Sequence, residues 1–246
     1  MLLLIDAGNT RIKWALADPQ QPAAWQASGA VPHAGLAALA STWRPAGVTA
    51  AIVANVAGAA LQAQLAALLH DALSVTPQWF VSRAECAGLR NGYREPAQLG
   101  CDRFAAMIGA RSRYPAQALL VVSCGTATTI DAVSAEGDFI GGMILPGLDL
   151  MLTALARHTA QLPQVEHDAV TPALFADRTD GAIFSGCLAA QAGAIERALA
   201  AHAGARCVMS GGAAPRVTAA LSVPTVLIDH LVLHGLHAAY FATPSC

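Results

Sequence analysis

The chain has 246 residues, of which 55% are hydrophobic and 12% are charged, with a formal net charge of −2. Because typical proteins carry roughly 25% charged residues, this composition predicts a large core and an oligomer that covers apolar area. The absence of a basic block in the sequence argues against nucleic acid as a partner. No apolar run reaches the ~18 residues of a membrane span, and the opening segment lacks the basic start of a secretory signal.

Six cysteines are scattered along the chain without a CxxC pair: Cys86, Cys101, Cys124, Cys187, Cys207 and Cys246. This usage favours reduced thiols over a disulfide framework. We therefore expect a cytoplasmic protein.

Apolar strand and helix patterns alternate along the chain and predict an α/β fold. In chain order, strands are expected over 1–6, 11–17, 50–54, 78–81, 119–123, 128–133, 138–144, 206–210 and 225–228. Helices are expected over 34–43, 59–73, 102–113, 147–157, 180–201 and 230–241. The first two strands are expected to be antiparallel neighbours. A turn is expected at 19–22, an irregular connection at 86–101, and a boundary near 115–117 between lobes 1–115 and 116–246.

The first strand ends in Asp6 and runs into a turn, residues 8–10, which we call the first turn. Open α/β sheets place their ligands at strand ends. Gly8 permits close backbone approach, and the Thr10 hydroxyl and the turn amides can donate to phosphate oxygens. The alternative is an ordinary strand and turn with a polar end.

A second strand and turn repeat this pattern, with Ser123 aligned to Asp6 and Gly125 to Gly8; we call residues 125–129 the second turn. Two such turns, one in each half, predict a duplicated α/β unit that holds a nucleotide between its halves. A third turn, residues 210–213, is expected to lie against adenosine. The chain has neither a P-loop nor a GxGxxG motif. Asp131 either assists a metal ion or ends a strand.

Asp102 is the candidate general base, because phosphoryl transfer needs a group that orients the acceptor hydroxyl and accepts its proton. Arg103 beside it is a planar cation suited to a carboxylate or phosphate. The residues alone favour a different interpretation, in which Asp102 is a helix N-cap and Arg103 makes a surface ion pair.

Four motifs occur in order: DAGNT at 6–10, GCDR at 100–103, GTATTID at 125–131 and GGMILPG at 141–147. Together they resemble the type III pantothenate kinases of the acetate and sugar kinase/Hsp70/actin superfamily, including members named Bvg accessory factor. The resemblance implies two lobes of a duplicated ribonuclease-H-like, actin-like ATPase fold with a nucleotide cleft. It also implies ATP-dependent phosphorylation of pantothenate to 4′-phosphopantothenate, the first step of coenzyme A biosynthesis. The alternatives are a regulatory, transcription-accessory binding protein of the same fold or another small-molecule kinase of the superfamily.

The resemblance assigns roles to individual residues, with Asp102 as the base and Asp6 as the group that orients Mg²⁺, directly or through water. Pantothenate contacts are implied for Tyr93, Gly100, Cys101, Asp102, Arg103 and, across a homodimer interface, Thr179. Contacts to the ATP phosphates or nucleotide are implied for Asp6, Ala7, Gly8, Asn9, Thr10, Arg11, Lys13, Gly125, Thr126, Thr128, Gly211 and Gly212. From the residues alone, Tyr93 is better explained as a packed aromatic with a solvated hydroxyl, and Thr179 is equally well explained as a helix N-cap.

Ser123 departs from the family pattern, since many members have an aspartate there that helps to bind a monovalent cation, K⁺ or NH₄⁺. A serine offers a neutral oxygen, which weakens the case for such a cation here.

The last predicted helix carries three histidines on one face: His230, His234 and His237. A polar face or a subunit contact explains them better than zinc, because a complete ligand set is missing from the sequence around them.

Overall fold

A computed structural model describes residues 1–18, 25–165 and 173–242. The turn expected at 19–22 falls outside these residues. The chain forms two compact units: unit 1 comprises Met1–Ala116, Gly137–Phe139 and His230–Cys246, and unit 2 comprises Gln117–Glu136 and Ile140–Asp229. The last helix therefore groups with the first half of the chain, whereas the predicted lobes divided the chain once, near residue 115.

The elements alternate as an α/β protein requires, which confirms the predicted class. The strands are β1 Leu2–Ala7, β2 Arg11–Ala17, β3 Trp25–Pro32, β4 Ala50–Asn55, β5 Gln78–Phe80, β6 Glu85–Cys86, β7 Leu89–Asn91, β8 Leu119–Cys124, β9 Ala127–Val133, β10 Asp138–Pro146, β11 Arg206–Ser210 and β12 Thr225–Leu227. The helices are α1 Leu39–Trp43, α2 Ala59–Leu73, α3 Cys101–Arg113, α4 Leu148–His158, α5 Thr179–Ala201, α6 Ala214–Ala219 and α7 Leu231–Phe241. Short 3₁₀ helices span His33–Ala38, Arg44–Ala46 and Pro96–Gln98.

Unit 1 is built on a five-stranded sheet in the order β3-β2-β1-β4-β5. The central strand β1 is antiparallel to β2, as predicted, and parallel to β4. Every residue of β1 is buried, which explains its unbroken apolar run. The β1–β2 register places Asp6 opposite Lys13, so the two strands that flank the first turn carry opposite charges side by side.

Unit 2 is built on β12, β11, β8, β9 and β10, hydrogen-bonded in that order. Strand β8 pairs in parallel with β11 and antiparallel with β9, which places Ser123 level with Ser210 and Thr129. Strand β10 starts in unit 1, where Asp138 and Phe139 pair in parallel with β7, and continues into unit 2.

Helices α3 and α7 of unit 1 pack unusually close together. A Cβ atom built on Gly235 of α7 would lie 1.7 Å from the Ala105 carbonyl oxygen of α3. Since this is far below any contact distance, the two helix backbones meet at a position where only glycine fits.

Several predicted elements differ from the structure. The helix expected over 34–43 is a 3₁₀ helix followed by the short α1, the edge strand β3 and helix α6 were not predicted, and the irregular connection at 86–101 contains β7. Strands such as β3 and β7 are defined by distant pairing partners rather than by their own composition.

Among the described residues, the free cysteines are Cys101, Cys124, Cys187 and Cys207. Cys86 is disulfide-bonded, so the expectation of reduced thiols is wrong at that position. No helix in the described part of the chain is long and apolar enough to cross a membrane.

Candidate active site

The first turn connects β1 to β2 in unit 1. The Gly8 amide donates to the Arg11 carbonyl at 3.1 Å, which closes the turn. Asn9, Thr10 and Arg11 are largely exposed around it, and Arg11 also donates from Nη2 to the Ala30 carbonyl of β3 at 3.0 Å. The turn therefore presents polar groups to solvent from a backbone that is held by its own hydrogen bond and by the edge strand.

Asp6 is buried at the end of β1, with 5% of its surface exposed. Burial raises the pKa of its carboxyl group, the Lys13 ammonium opposes this, and the nearby Asp102 carboxylate raises the pKa further. Lys13 Nζ lies 3.5 Å from Asp6 Oδ2. Asp6 therefore lies in an electronegative part of the site, whose negative charge a bound cation would offset.

Asp102 lies in the first turn of α3, where partial positive charge from the backbone favours an anion. Its Oδ1 accepts a hydrogen bond from the Arg103 amide at 2.8 Å. The N-cap residue is Gly100 rather than Asp102, and Arg103 is buried with 6% exposure. The interpretation of this pair as an N-cap and a surface ion pair is therefore wrong.

Arg103 reaches back to Tyr93, which precedes α3 in the chain. Its Nη1 donates to the Tyr93 hydroxyl at 3.0 Å, and its guanidinium carbon lies 5.8 Å from the centre of the Tyr93 ring. The structure thus brings together two predicted substrate contacts that are ten positions apart in sequence. Tyr93 is more than a packing residue, since its hydroxyl binds a buried cation.

Cys101 is the first residue of α3, and its thiol donates to the Asn55 carbonyl at 3.6 Å. Burial, with Asp102 adding to it, raises the pKa of this thiol to about 11. The group is therefore a neutral thiol at physiological pH and not a thiolate nucleophile.

The second turn is shorter than predicted, because only Gly125 and Thr126 connect β8 to β9 and Thr128 already lies within β9. The Gly125 amide donates to the Ala127 carbonyl at 3.0 Å, and the Gly147 amide donates to the Thr126 carbonyl at the same distance. The last residue of the GGMILPG motif therefore supports the second turn from the N-terminus of α4.

The third turn follows β11 and lies directly against the end of β8. Gly211 has φ +102°, and a Cβ atom there would stand 2.3 Å from the Cys124 carbonyl oxygen. The same carbonyl accepts the Ala213 amide at 3.1 Å. The second and third turns are therefore neighbours in unit 2, as their parallel strands require. Gly212 has open space around its Cα atom.

Ser123 lies near the end of β8, level with Thr129 and Ser210. Asp131 lies two residues further along β9 and is buried, so it does not end a strand as one prediction held. Residues i and i+2 of a strand share a face, so Asp131 lies on the same side of the sheet as Thr129. Thr128 lies on the opposite side of the sheet and is buried beside Cys124. Burial raises the pKa of the Cys124 thiol to about 12.

Thr179 is the first helical residue of α5, and the N-cap position belongs to Arg178. The interpretation of Thr179 as the N-cap is therefore wrong.

His234 stacks on Trp25 with ring centres 4.5 Å apart, and its Nε2 pairs with Arg113 Nη2 at 3.0 Å. A group of three or more acidic, His or Cys side chains placed to hold a metal ion is absent from the described residues.

Two residues of this region were not predicted from the sequence. His33 Nε2 lies 2.8 Å from the Gly8 carbonyl oxygen, so it supports the first turn. Phe139 lies beside Tyr93 and Arg103. Neither residue belongs to a recognisable motif, and both reach the site through the pairing of distant strands.

The family model and the most similar curated relatives described below carry the same family description. The family model described as type III pantothenate kinase matches residues 2–201. A type III pantothenate kinase of Herminiimonas arsenicoxydans is 52% identical over 258 aligned positions, which cover 100% of both chains. One from Aromatoleum aromaticum is 52% identical over 242 positions, which cover 96% of each chain.

Solved structures with the same fold are more distant. A Campylobacter jejuni protein described as a proposed Baf family transcriptional activator has a TM-score of 0.64 at 18% identity, over 99% of this chain and 100% of that chain. A proposed 2-dehydro-3-deoxygalactonokinase from Sinorhizobium meliloti has a TM-score of 0.61 at 17% identity, with the same coverage. At these identities the likeness extends to the fold alone.

Proposed function

This chain belongs to the type III pantothenate kinase family, and on that premise we propose that it transfers the γ-phosphoryl group of ATP to the primary hydroxyl of pantothenate. The products are ADP and 4′-phosphopantothenate, which opens coenzyme A biosynthesis. The observation that carries the proposal is the meeting, in unit 1, of two carboxylates and a buried guanidinium: Asp6, Asp102 and Arg103.

Asp102 is the general base of this proposal. Its carboxylate, in the first turn of α3, accepts the proton of the acceptor hydroxyl while that oxygen forms its bond to the γ-phosphorus and the bond to ADP breaks. Asp6 lies close enough to Asp102 for the two carboxylates to interact electrostatically, so both belong to one site. The hydrogen bond from the Arg103 amide orients the Asp102 side chain.

Arg103 and Tyr93 hold pantothenate. A buried guanidinium needs an anionic or strongly polar partner, and pantothenate offers a carboxylate and several oxygen acceptors. Gly100 and Cys101 line the same helix start, and Cys101 contributes as a neutral thiol. Thr179 is the proposed contact from a second subunit.

In unit 1, contact with the nucleotide phosphates is assigned to the first turn with Arg11 and Lys13. In unit 2, the same role is assigned to Gly125, Thr126 and Thr128. The third turn, with Gly211 and Gly212, receives adenosine. The residues fit Mg²⁺, because Asp6 is a buried carboxylate whose raised pKa a divalent cation would lower. When bound with ATP, Mg²⁺ neutralises charge on the phosphates, and it needs only one or two protein carboxylates.

A monovalent cation is a separate part of the proposal. Ser123 supplies a neutral oxygen where a carboxylate would attract K⁺ or NH₄⁺, and Asp131 on the neighbouring strand is the acidic residue on the same side of the sheet as Thr129. We expect activity in the absence of added potassium, with at most a modest stimulation by it.

We also propose that the protein is a homodimer. We place it in the cytoplasm, where ATP is available. Strand β10 in unit 2 carries exposed Ile140, Met143 and Ile144, at 59%, 42% and 64% exposure. Adjacent strand residues point to opposite faces, so Met143 and Ile144 leave apolar side chains uncovered on both sides of the strand. A second copy of the chain that covers these side chains would explain why apolar residues occupy exposed positions on β10.

The direct test is steady-state turnover of Asp102→Asn with ATP, Mg²⁺ and pantothenate, with and without potassium. Loss of a general base predicts a fall in kcat of about 100- to 10,000-fold, while the KM for ATP stays within about twofold because the phosphate contacts are intact. The matched control is Asp71→Asn, whose side chain is 76% exposed on α2 and which should leave turnover unchanged.

Undiminished turnover in Asp102→Asn would reject the base assignment. If the wild-type protein releases no ADP with pantothenate under any cation, the reaction itself is wrong. The remaining explanations would then be another acceptor or a regulatory binding role.

A further inference from the structure

Phe139 is a buried aromatic residue, 1% exposed, at the junction where β10 leaves unit 1. It pairs with Asn91 of β7. Gly92, which follows Asn91, lies so close to Phe139 that a Cβ atom built on it would stand 2.0 Å from the Phe139 carbonyl oxygen. The segment that leads to Tyr93 is therefore held tightly against the Phe139 backbone.

The Phe139 ring contacts both residues that the proposed function assigns to pantothenate. Its centre lies 5.2 Å from that of the Tyr93 ring, at an interplanar angle of 38°. The Arg103 guanidinium carbon lies 5.8 Å from the Phe139 ring centre, the same distance as from the Tyr93 ring. A guanidinium within about 6 Å of an aromatic face is attracted by the negative potential of that face.

We propose that Phe139 is a positioning residue for pantothenate binding, acting through its ring on the Arg103 guanidinium and on Tyr93. An aromatic face stabilises the flat side of a guanidinium without using its in-plane N–H donors. Phe139 therefore compensates part of the cost of burying the cation and keeps the N–H fork directed at Tyr93 and the substrate. The inference rests on the proposed function, because it assumes that Arg103 and Tyr93 contact pantothenate.

Asn91 connects the same parts through hydrogen bonds. Its Oδ1 accepts the Tyr93 amide at 3.1 Å, and its Nδ2 donates to the Arg83 and Pro96 carbonyls at 3.1 and 3.0 Å. Because Phe139 pairs with Asn91 in the sheet, one strand position determines both where the Tyr93 backbone lies and where the aromatic face lies.

The experiment replaces Phe139, in the full-length protein, by phenylalanines with one, two and three ring fluorines. These side chains are nearly isosteric but progressively weaken the negative potential of the ring face. The KM for pantothenate should rise stepwise, by about two- to thirty-fold in total as expected for loss of a cation–π contact of this kind. The KM for ATP and the melting temperature should remain close to wild type.

Two conventional variants accompany the series. Phe139→Leu removes the ring and should raise the pantothenate KM at least as much as three fluorines do, with a smaller effect on kcat. Phe80→Leu is the matched control, because Phe80 is also a buried aromatic of unit 1 but stacks on Phe104, with ring centres 5.9 Å apart. It should lower thermal stability without a selective change in the pantothenate KM.

Arg103→Lys distinguishes the proposed substrate role of Arg103 from the positioning role of Phe139. If this variant leaves the pantothenate KM unchanged, the substrate role of Arg103 in the proposed function fails. If it raises that KM while the fluorine series leaves it flat, the substrate role stands and the positioning role of Phe139 is rejected.

Discussion

At the residue scale, the shape of the first turn depends on a side chain from outside it. His33, at the start of a 3₁₀ helix after β3, lies with Nε2 2.8 Å from the Gly8 carbonyl oxygen. A carbonyl oxygen only accepts hydrogen bonds, so Nε2 is the donor. Because Gly8 is the first residue of this turn, the bond helps to orient the groups proposed to contact phosphate.

We expect His33→Ala to raise the KM for ATP by about two- to tenfold, the usual value of one hydrogen bond, with no change in the pantothenate KM. His33→Gln keeps an N–H donor and should restore most of the affinity. Steady-state kinetics with each substrate varied in turn measures both values. Equal increases for ATP and pantothenate in His33→Ala would show a general loss of structure instead.

At the element scale, the contact of α3 with α7 connects the helix that carries Asp102 to the rest of unit 1. Gly235→Ala places a methyl group 1.7 Å from the Ala105 carbonyl oxygen. Because a backbone atom cannot move aside as a flexible side chain can, we expect the free energy of unfolding to fall by about 1–3 kcal/mol or more. Gly186→Ala on α5 meets no atom within 4 Å and should instead stabilise by about 0.5–1 kcal/mol.

Urea denaturation of both variants measures this difference. If Gly235→Ala were as stable as Gly186→Ala, the close approach of the two helices would be wrong. The turnover of folded Gly235→Ala should also fall, because a displaced α3 carries Asp102 with it.

The same pair of helices should respond to acid through His234. Burial and the Arg113 cation lower the pKa of His234 from its ordinary 6.5 to about 4, with His230 and His237 adding to the effect. Between about pH 6.5 and 4 the unfolded chain binds this proton and the folded chain does not, so stability decreases as the pH falls through that window. Because the ring is partly exposed, we expect a loss on the order of 1–2 kcal/mol.

The pH dependence of urea denaturation tests this expectation. His234→Gln should lose that part of the decrease between pH 6.5 and 4, whereas His70→Gln, at an exposed position, should retain it. Identical pH profiles for wild type and His234→Gln would contradict the assignment.

The elements that the sequence predicted well are those that carry their own signal. Strand β1 is a continuous apolar run, and α2 and α3 show helical spacing, so both types were recognised without knowledge of their neighbours. Strand β3 contains Gly29 and ends in Pro32, and it is a strand because it pairs with β2. His33 and Phe139 were missed for the same reason, since their contacts follow from strand pairing.

At the scale of the whole molecule, the apolar surface of unit 2 leads to a prediction about assembly. Light scattering after gel filtration should give the mass of a dimer for the wild-type protein. Ile144→Glu places a charge on the exposed, apolar part of β10 and should shift the protein to monomer, because burying an unpaired carboxylate in an interface is costly. Val81→Glu is the matched control, since Val81 is an apolar residue of unit 1 with a comparable 51% exposure, and it should remain dimeric.

Activity connects this assembly to the site. If Thr179 contacts pantothenate from the second subunit, monomeric Ile144→Glu should show a raised pantothenate KM while its affinity for ATP, measured by nucleotide binding, is retained. Thr179→Val should raise the same KM in a protein that remains dimeric, because it removes the hydroxyl and keeps the side-chain shape. A fully active monomer would overturn the shared site, and a wild-type monomer at micromolar concentration would overturn the dimer itself.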